Sequence, residues 1–286
     1  MRAVFAQYSL SLPELRNHGS HLPRFYEERN MSSKKQGSMS KRQELRDKRQ
    51  KRARQQRLAL ILGTGGVIVL LALLVVVPQV QRANQPVGTI VPITPQVYPD
   101  ANGAAMGNPN APVKIVAYED FQCPSCRIYT EQVEPMLIQN EIKNGQVYYQ
   151  FRNFPIIDRS STTKESHQAA NAALCAADQG KFWEYHGMLY ANQEGENVGS
   201  FTDKRLQAFA QTLGLNMSEF NSCFSADTHQ NQIDADFQAG QQAGVTGTPS
   251  VFVNGKEVSP GYIPTYDQMK QAIQAALGAP ATTPGG

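Results

Sequence analysis

Residues 113–126 read VKIVAYEDFQCPSC, an apolar run that ends in two cysteines separated by a proline and a serine. Val113 to Tyr118 has the length and the β-branched and aromatic content of a buried strand. From Pro124 to Ile142 the pattern is helical, with Pro135 as a kink and Asn144-Gly145 as the stop. Pro124 suits a first helical position, where no N–H is needed. The two thiols therefore sit where a strand passes into a helix, and the helix N-terminus offers free N–H groups and positive dipole to a thiolate. Cys123 is expected to be the exposed nucleophile with a lowered pKa, and Cys126 the more buried resolving thiol. Taken alone, Cys-x-x-Cys is also half of a zinc site. Zinc needs two further ligands, and there is neither a second such pair nor finger spacing among His167, His186 and His229.

Downstream, Val147 to Phe151 reads as a second strand, and residues 162–243 are helical in pattern. Strands return at Ser250 to Val253 and Lys256 to Val258, joined by Asn254-Gly255, a strong hairpin turn. A last amphipathic helix runs from about Pro264 to Leu277. The order strand, helix, strand, helical block, hairpin, helix predicts an α/β sandwich interrupted by a helical insertion. Directly before the third strand stands Val245-Thr246-Gly247-Thr248-Pro249-Ser250. A proline there marks a sheet edge, a turn or a cis bond, and a cis peptide would leave the Thr248 backbone free to pair with an extended substrate. The aromatic density of Phe182, Trp183, Tyr185 and His186 reads as the packed face of an insertion helix.

Three segments, GNPNAPVKIVAYEDFQCPSC (107–126), CAADQGKFWEYHGMLYAN (175–192) and GVTGTPSVFVNG (244–255), together resemble the DsbA-like disulfide oxidoreductases of bacterial cell envelopes, which have the thioredoxin fold. The resemblance spans residues 107 to about 277. It implies a thioredoxin fold with a helical insertion, a cis-proline at Pro249 beside the dithiol, and thiol-disulfide exchange with secreted proteins. Many relatives place an acidic side chain six residues before the first cysteine. That position is Ala117 here, and Glu119 and Asp120 are the candidates to substitute in a buried proton relay. Some relatives carry a second bridge in the insertion, so the resemblance implies a structural disulfide between Cys175 and Cys223, with two separate buried thiols or a second redox relay as the alternatives. Such a bridge would close a loop of about 49 residues, worth roughly 4 kcal/mol on a chain-entropy model.

The implied mechanism has a substrate thiolate attack Cys123 while the peptide lies along Thr248-Pro249, with Pro124 and Ser125 completing the motif. Cys126 departs, a second substrate thiol completes the transfer, and a membrane redox partner linked to quinones resets the dithiol. No Walker or dinucleotide-binding glycine pattern is present, so no cofactor and no metal are expected. A reductase for a narrow client such as an apocytochrome, and a tethered peptide-binding chaperone, are the alternatives. The Pro-Ser dipeptide fixes no potential.

Outward from this domain the chain changes character. Residues 1–57 hold fifteen Lys/Arg against five Asp/Glu, and the remainder twelve against nineteen, so the net charge of +3 hides a basic end on an acidic body. An acidic body argues against nucleic acid as partner. Residues 58–77 are uncharged and aliphatic apart from Gly63, Thr64, Gly65 and Gly66, long enough to span a bilayer as a helix. The basic cluster precedes the span, which predicts residues 1–57 on the cytoplasmic side and the rest outside. A cleaved signal peptide is the rival reading, weakened by the long apolar run and the poor cleavage site after it. Seven prolines in residues 78–112 predict an extended stalk over 78–110 that holds a domain at 111–278 off the bilayer, and 279–286 reads as a flexible tail. Residues 1–30 show no period, and the natural polypeptide is expected to start at Met31 or Met39.

Overall fold

The computed structural model describes residues 40–83 and 86–278. The expectations for residues 1–39, with the start at Met31 or Met39, and for the tail at 279–286 lie outside the described residues. The first element, α1 (Lys41–Ala83), is a single helix. It extends before the apolar run through Lys, Arg and Gln, which are good helix formers, and continues beyond it through Pro78. Residues 58–77 are exposed along their whole length, and among the described residues this is the one helix long and apolar enough to cross a membrane. Its single hydroxyl in that stretch, Thr64, bonds to the Leu60 carbonyl at 2.9 Å, so no polar group is left to the surroundings.

The following unit is built on five strands: β1 (Ala105–Met106), β2 (Val113–Glu119), β3 (Val147–Asn153), β4 (Ser250–Val253) and β5 (Lys256–Val258), in the order β1-β3-β2-β4-β5. β2 and β3 are parallel, from Val113↔Val147 to Glu119↔Asn153, and β4 runs antiparallel to β2 with Tyr118↔Ser250 in register. The hairpin at Asn254-Gly255 has positive φ at both residues, +46° and +80°, the geometry that Asn-Gly turns supply.

Alternation along β2 separates the two faces of the sheet. Val113, Ile115 and Ala117 enter the main core, shared with α2 (Pro124–Gln132) and α9 (Tyr266–Gly278). Tyr118 enters a smaller cluster with Phe154, Val245 and Phe252, covered by Phe237 of α8 (Gln230–Gln242). Gly240 of α8 lies so close to the Phe154 and Tyr118 rings that a side chain there would collide with both. This amends the expectation for residues 162–243. α4 (Glu165–Ala177), α5 (Phe182–Ala191), α6 (Asp203–Thr212) and α7 (Met217–Ser225) form the inserted bundle, whereas α8 turns its Ile233, Asp236 and Gly240 face inward and covers the second face of the sheet. The helix expected over 124–142 breaks at Val133, one residue before Glu134-Pro135, and resumes as α3 (Glu134–Leu137) with a π turn over Ile138–Ile142. Pro135 supplies no N–H to the preceding turn, which accounts for the break.

In the insertion, Cys175 of α4 and Cys223 of α7 are joined by a disulfide, with S–S 1.99 Å and Cα–Cα 5.8 Å. Alanines 169, 170, 172, 173 and 176 form the buried face of α4 and let its neighbours approach closely.

The stalk expected over 78–110 is not free-standing where it is described. Residues 86–98 are extended, as their prolines require, yet they lie along the insertion. Val91 is clasped through both backbone groups by the Asn192 side chain at 2.8 and 2.9 Å, Arg205 Nη1 donates to the Val87 carbonyl at 2.9 Å, and Tyr98 stacks on Trp183 with centroids 5.9 Å apart. Ile90 and Ile93 pack against the core, and β1 then adds an antiparallel edge to β3. The physical reason is that Ile90, Ile93 and Tyr98 gain more from burial than an extended, solvated segment would retain. The compact domain therefore begins near residue 86 and not at 111. Replacing Asn192 with Ala should lower unfolding free energy by about 1–3 kcal/mol through the two lost backbone partners, and Cys223→Ser by about 2–5 kcal/mol. Urea titration of each variant against the parent checks both values.

Candidate active site

β2 ends at Glu119, and the next turn is set by Asp120. One Asp120 oxygen accepts from the Gln122 backbone N–H at 2.9 Å and the Ser166 hydroxyl at 2.6 Å, and the other accepts from the Ile157 N–H at 3.0 Å. Gln122 extends this lattice to Asp158 and Ser166, and its carbonyl oxygen accepts from the Asn197 N–H at 2.7 Å. The turn leading into the dithiol is thus bolted to the insertion by buried polar groups that are all paired with one another.

Cys123 caps α2 in extended conformation (φ −74°, ψ 120°), with Pro124 at the first helical position. Its carbonyl accepts from Gln193 Nε2 at 3.1 Å, and the same nitrogen donates to the Phe121 carbonyl at 2.6 Å. Arg127 Nη1 in turn donates to the Gln193 carbonyl at 3.0 Å. Across from the helix start, the peptide Thr248-Pro249 is cis, and the Cys123 thiol donates to the Thr248 carbonyl at 3.2 Å.

Cys123 keeps 8% of its surface and Cys126 none. The Cys126 thiol hydrogen-bonded to it pulls the Cys123 pKa down to about 6, helped by the Thr248 side chain and the N–H groups of Cys126 and Ser125, against the effect of burial. Burial, the thiol of Cys123 and the charge of Glu119 push Cys126 in the opposite direction. The pair is therefore polarised into one sulfur ready to ionise and one held protonated.

Glu119 is fully enclosed, accepting from Tyr190 Oη at 3.1 Å and from Tyr149 Oη at 3.4 Å. Burial raises its pKa to about 8, and that of Asp120 to about 7. Of the two carboxyls singled out in the sequence, Glu119 is the one coupled to the dithiol, raising Cys126 by its charge and being raised by that of Cys123, whereas the Asp120 oxygens are engaged in the turn.

Beside Thr248-Pro249 runs a shallow groove of about 350 Å³ lined by Ser125, Thr246, Pro249, Glu257 and Tyr262, with Tyr262 80% exposed. The structure thus brings Cys123, Cys126, Pro124, Ser125, Thr248, Pro249 and Glu119 to one place. Cys175 and Cys223 are paired with each other in the insertion. Among the described residues the one cluster of candidate metal ligands, Cys175, Cys223 and His229, has both sulfurs committed to that disulfide. Among the described histidines, His167 contacts Asp227 at 2.8 Å and His229 contacts Asp178 at 2.9 Å, while His186 is buried among aromatic rings with its pKa pushed down to about 3 by that burial. Gln193, Gln122 and Arg127 were not expected from the sequence. Polar side chains that clamp backbone across 66 to 75 residues leave no periodic trace, and no other signal in the chain marks them.

Residues 100–275 match a protein-family model described as thioredoxin. The chain is 30% identical over 175 residues to the probable disulfide bond formation protein D of Bacillus cereus, covering 60% of this chain and 78% of that one. It is similar in fold to the oxidised form of BdbD from Bacillus subtilis, at 23% identity and TM-score 0.55 over 66% of this chain and 100% of that chain. A thioredoxin-like oxidoreductase from Silicibacter pomeroyi aligns at 27% identity and TM-score 0.51 over 62% and 92%. A strand-to-helix dithiol facing a cis-proline, on a sheet whose sequence matches this family along more than half the chain, places the protein in the thioredoxin family, among its DsbA-like thiol-disulfide oxidoreductases.

Proposed function

We propose that this oxidoreductase works outside the cytoplasm, held by α1 in the membrane, and passes the Cys123–Cys126 disulfide to cysteine pairs of secreted proteins. The observation that carries the reading is the asymmetry of the dithiol: Cys123, expected to be exposed, is itself buried but keeps a sliver of accessible surface and a low pKa, whereas Cys126 is sealed behind it. An incoming client thiolate can reach only Cys123. Its sulfur bonds to Cys123, the Cys123–Cys126 bond breaks, and the electron pair leaves on Cys126. The client backbone pairs with the Thr248 carbonyl edge and lies in the groove beside Tyr262. A second client thiolate then attacks the client sulfur and Cys123 departs, a good leaving group because its thiolate is stabilised.

The direction follows from the same stabilisation. Lowering the Cys123 pKa favours the reduced dithiol at neutral pH and makes the disulfide the more oxidising partner. Glu119, four residues before Cys123 and facing the dithiol, fits the role of proton donor to the departing Cys126. Asp120 fits that of a strut. The dithiol is reset by a membrane partner through disulfide exchange. The cluster of Lys and Arg between residues 41 and 57, immediately before the apolar part of α1, supports a cytoplasmic N-terminus and a catalytic domain on the other side.

The reduction potential of the full chain in detergent, equilibrated in glutathione buffers and read by alkylation and mass, tests the direction. The expected value lies nearer to about −120 mV, the oxidising end of the fold, than to about −270 mV, where the assignment turns to a reductase. Client refolding that survives Cys123→Ser would instead favour a tethered chaperone. Iodoacetamide should modify Cys123 with a rate that rises through pH about 6 and then levels, while Cys126 stays unmodified. Because the folded value is depressed, ionisation of Cys123 stabilises the reduced fold at high pH, and that contribution is lost as pH falls through about 6. The melting temperature of reduced Cys123→Ser should lack this rise.

A further inference from the structure

The bridge in the insertion has polar company that the exchange chemistry does not use. A ring nitrogen of His229 lies within 4.8 Å of both the Cys175 and the Cys223 sulfur, and Asp178 Oδ2 stands 2.9 Å from His229 Nε2 and 3.6 Å from Cys223 Sγ. The four residues come from the ends of three helices. Cys175 lies in α4 and Asp178 caps its C-terminus, Cys223 lies in α7, and His229 stands at the N-cap of α8. The turn that carries His229 is folded back onto the other three. Asn171, one turn before Cys175 on α4, accepts from the His229 backbone N–H at 3.2 Å and donates to the Phe224 carbonyl at 3.1 Å. The Thr228 N–H and hydroxyl both donate to the Cys223 carbonyl, at 3.2 and 3.0 Å. A disulfide needs neither an imidazole nor a carboxylate beside its sulfurs. Two thiolates, an imidazole and a carboxylate are together the donor set of a tetrahedral zinc ion.

We propose that the thiol form of this pair binds one zinc ion through Cys175, Asp178, Cys223 and His229, and that formation of the bridge expels it. Donor atoms around a tetrahedral zinc stand roughly 3.3–3.8 Å apart, given bonds of about 2.0–2.3 Å. The two contacts of Asp178 lie close to that span already. Only the sulfurs have to part, and rotation of both side chains can carry them there from Cα atoms 5.8 Å apart. Asp178 is exposed and opens a path from solvent, whereas Cys175 is buried and closes the inner side of the site. The ion takes the place of the two thiol protons, which are released, so affinity rises with pH. It leaves by thiol-disulfide exchange. An incoming disulfide accepts two electrons from the zinc-bound thiolates, its own bond breaks, the bond between Cys175 and Cys223 forms, and two thiolates and a free Zn²⁺ depart. The oxidant is of the class this family supplies, the dithiol disulfide of an oxidised copy, but zinc binding itself depends on no part of the direction argued above. In a chain whose four cysteines are all thiols, the ion occupies Cys175 and Cys223 and keeps them from pairing with Cys123 or Cys126.

The test is a zinc titration of the full chain in detergent carrying Cys123→Ala and Cys126→Ala, so that Cys175 and Cys223 are its only cysteines. The chain is reduced with a phosphine, freed of reductant without air, and titrated with zinc chloride against a chromophoric chelator. One zinc should bind per reduced chain and none, at the same free zinc, per bridged chain, which carries every other possible ligand of the sequence and is therefore the control. Cobalt(II) in place of zinc should give the visible absorption of a tetrahedral thiolate site in the reduced chain alone. His229→Ala and Asp178→Asn should each weaken zinc by at least about tenfold, while the melting temperature of their bridged forms shows that they fold. Where reduction costs the chain part of its helical circular dichroism, zinc should restore it in the parent and not in His229→Ala. A reduced chain that binds no zinc, or one that binds it equally well after both substitutions, would overturn the proposal. Either result leaves the oxidoreductase reading intact, because that reading rests on the other pair of cysteines.

Discussion

The antiparallel pairing of β2 with β4 is the constraint on which the site depends. Tyr118 stands opposite Ser250, so the end of one strand and the start of the other meet at the same edge of the sheet. Cys123 lies five residues beyond Tyr118 and Pro249 one residue before Ser250. The Sγ to carbonyl distance of 3.2 Å between Cys123 and Thr248 is a consequence of that register. A slip by one residue would turn every side chain of β4 to the other face and carry the proline loop away from the thiol. The cores on the two faces of the sheet hold the register: Val251 and Val253 in one, Phe252 in the other.

The features legible in the sequence were those whose cause is local. Strand β2, the helix start at Pro124 and the Asn254-Gly255 turn each follow from residue type and short spacing, and the structure has them where the pattern puts them. The meeting of Cys123 with Thr248-Pro249, across 125 residues, could be expected only through resemblance to a family, because no local rule relates two loops so far apart. What remained illegible is of one kind. Asn192 holding Val91, Gln193 holding Cys123, and Gln122 joining the turn to the insertion are bonds from side-chain amides to distant backbone or polar groups. Such amides look the same in a sequence whether they face water or fasten a fold. The segment over 86–98 shows the limit from the other side. Its prolines announce extended backbone correctly, but only the recurring Ile90, Ile93 and Tyr98 hint that it is covered.

The insertion is often pictured as an addition to a thioredoxin core, but here it supplies parts of the site's support. Ser166 of α4 completes the Asp120 turn, Tyr190 of α5 holds Glu119, and Gln193, just after α5, fastens the first carbonyl of the dithiol helix. Arg205 of α6 bonds to the carbonyls of Asn192 and Ser200 and, through Val87, to the segment that leads back toward α1. The dithiol is therefore positioned as much by the helical bundle as by the sheet, and its polarity depends on packing that neither layer could provide alone.

The bridge between Cys175 and Cys223 has a consequence for how the protein comes into being. A newly made copy leaves the ribosome with four thiols, two of which have to be joined before α4 and α7 are tied and two of which are the catalytic pair. On the function proposed above, the agent able to join them is a copy that is already oxidised. The catalyst is then one of its own substrates, and the population matures by contagion, slowly from the first molecules and faster as their number grows.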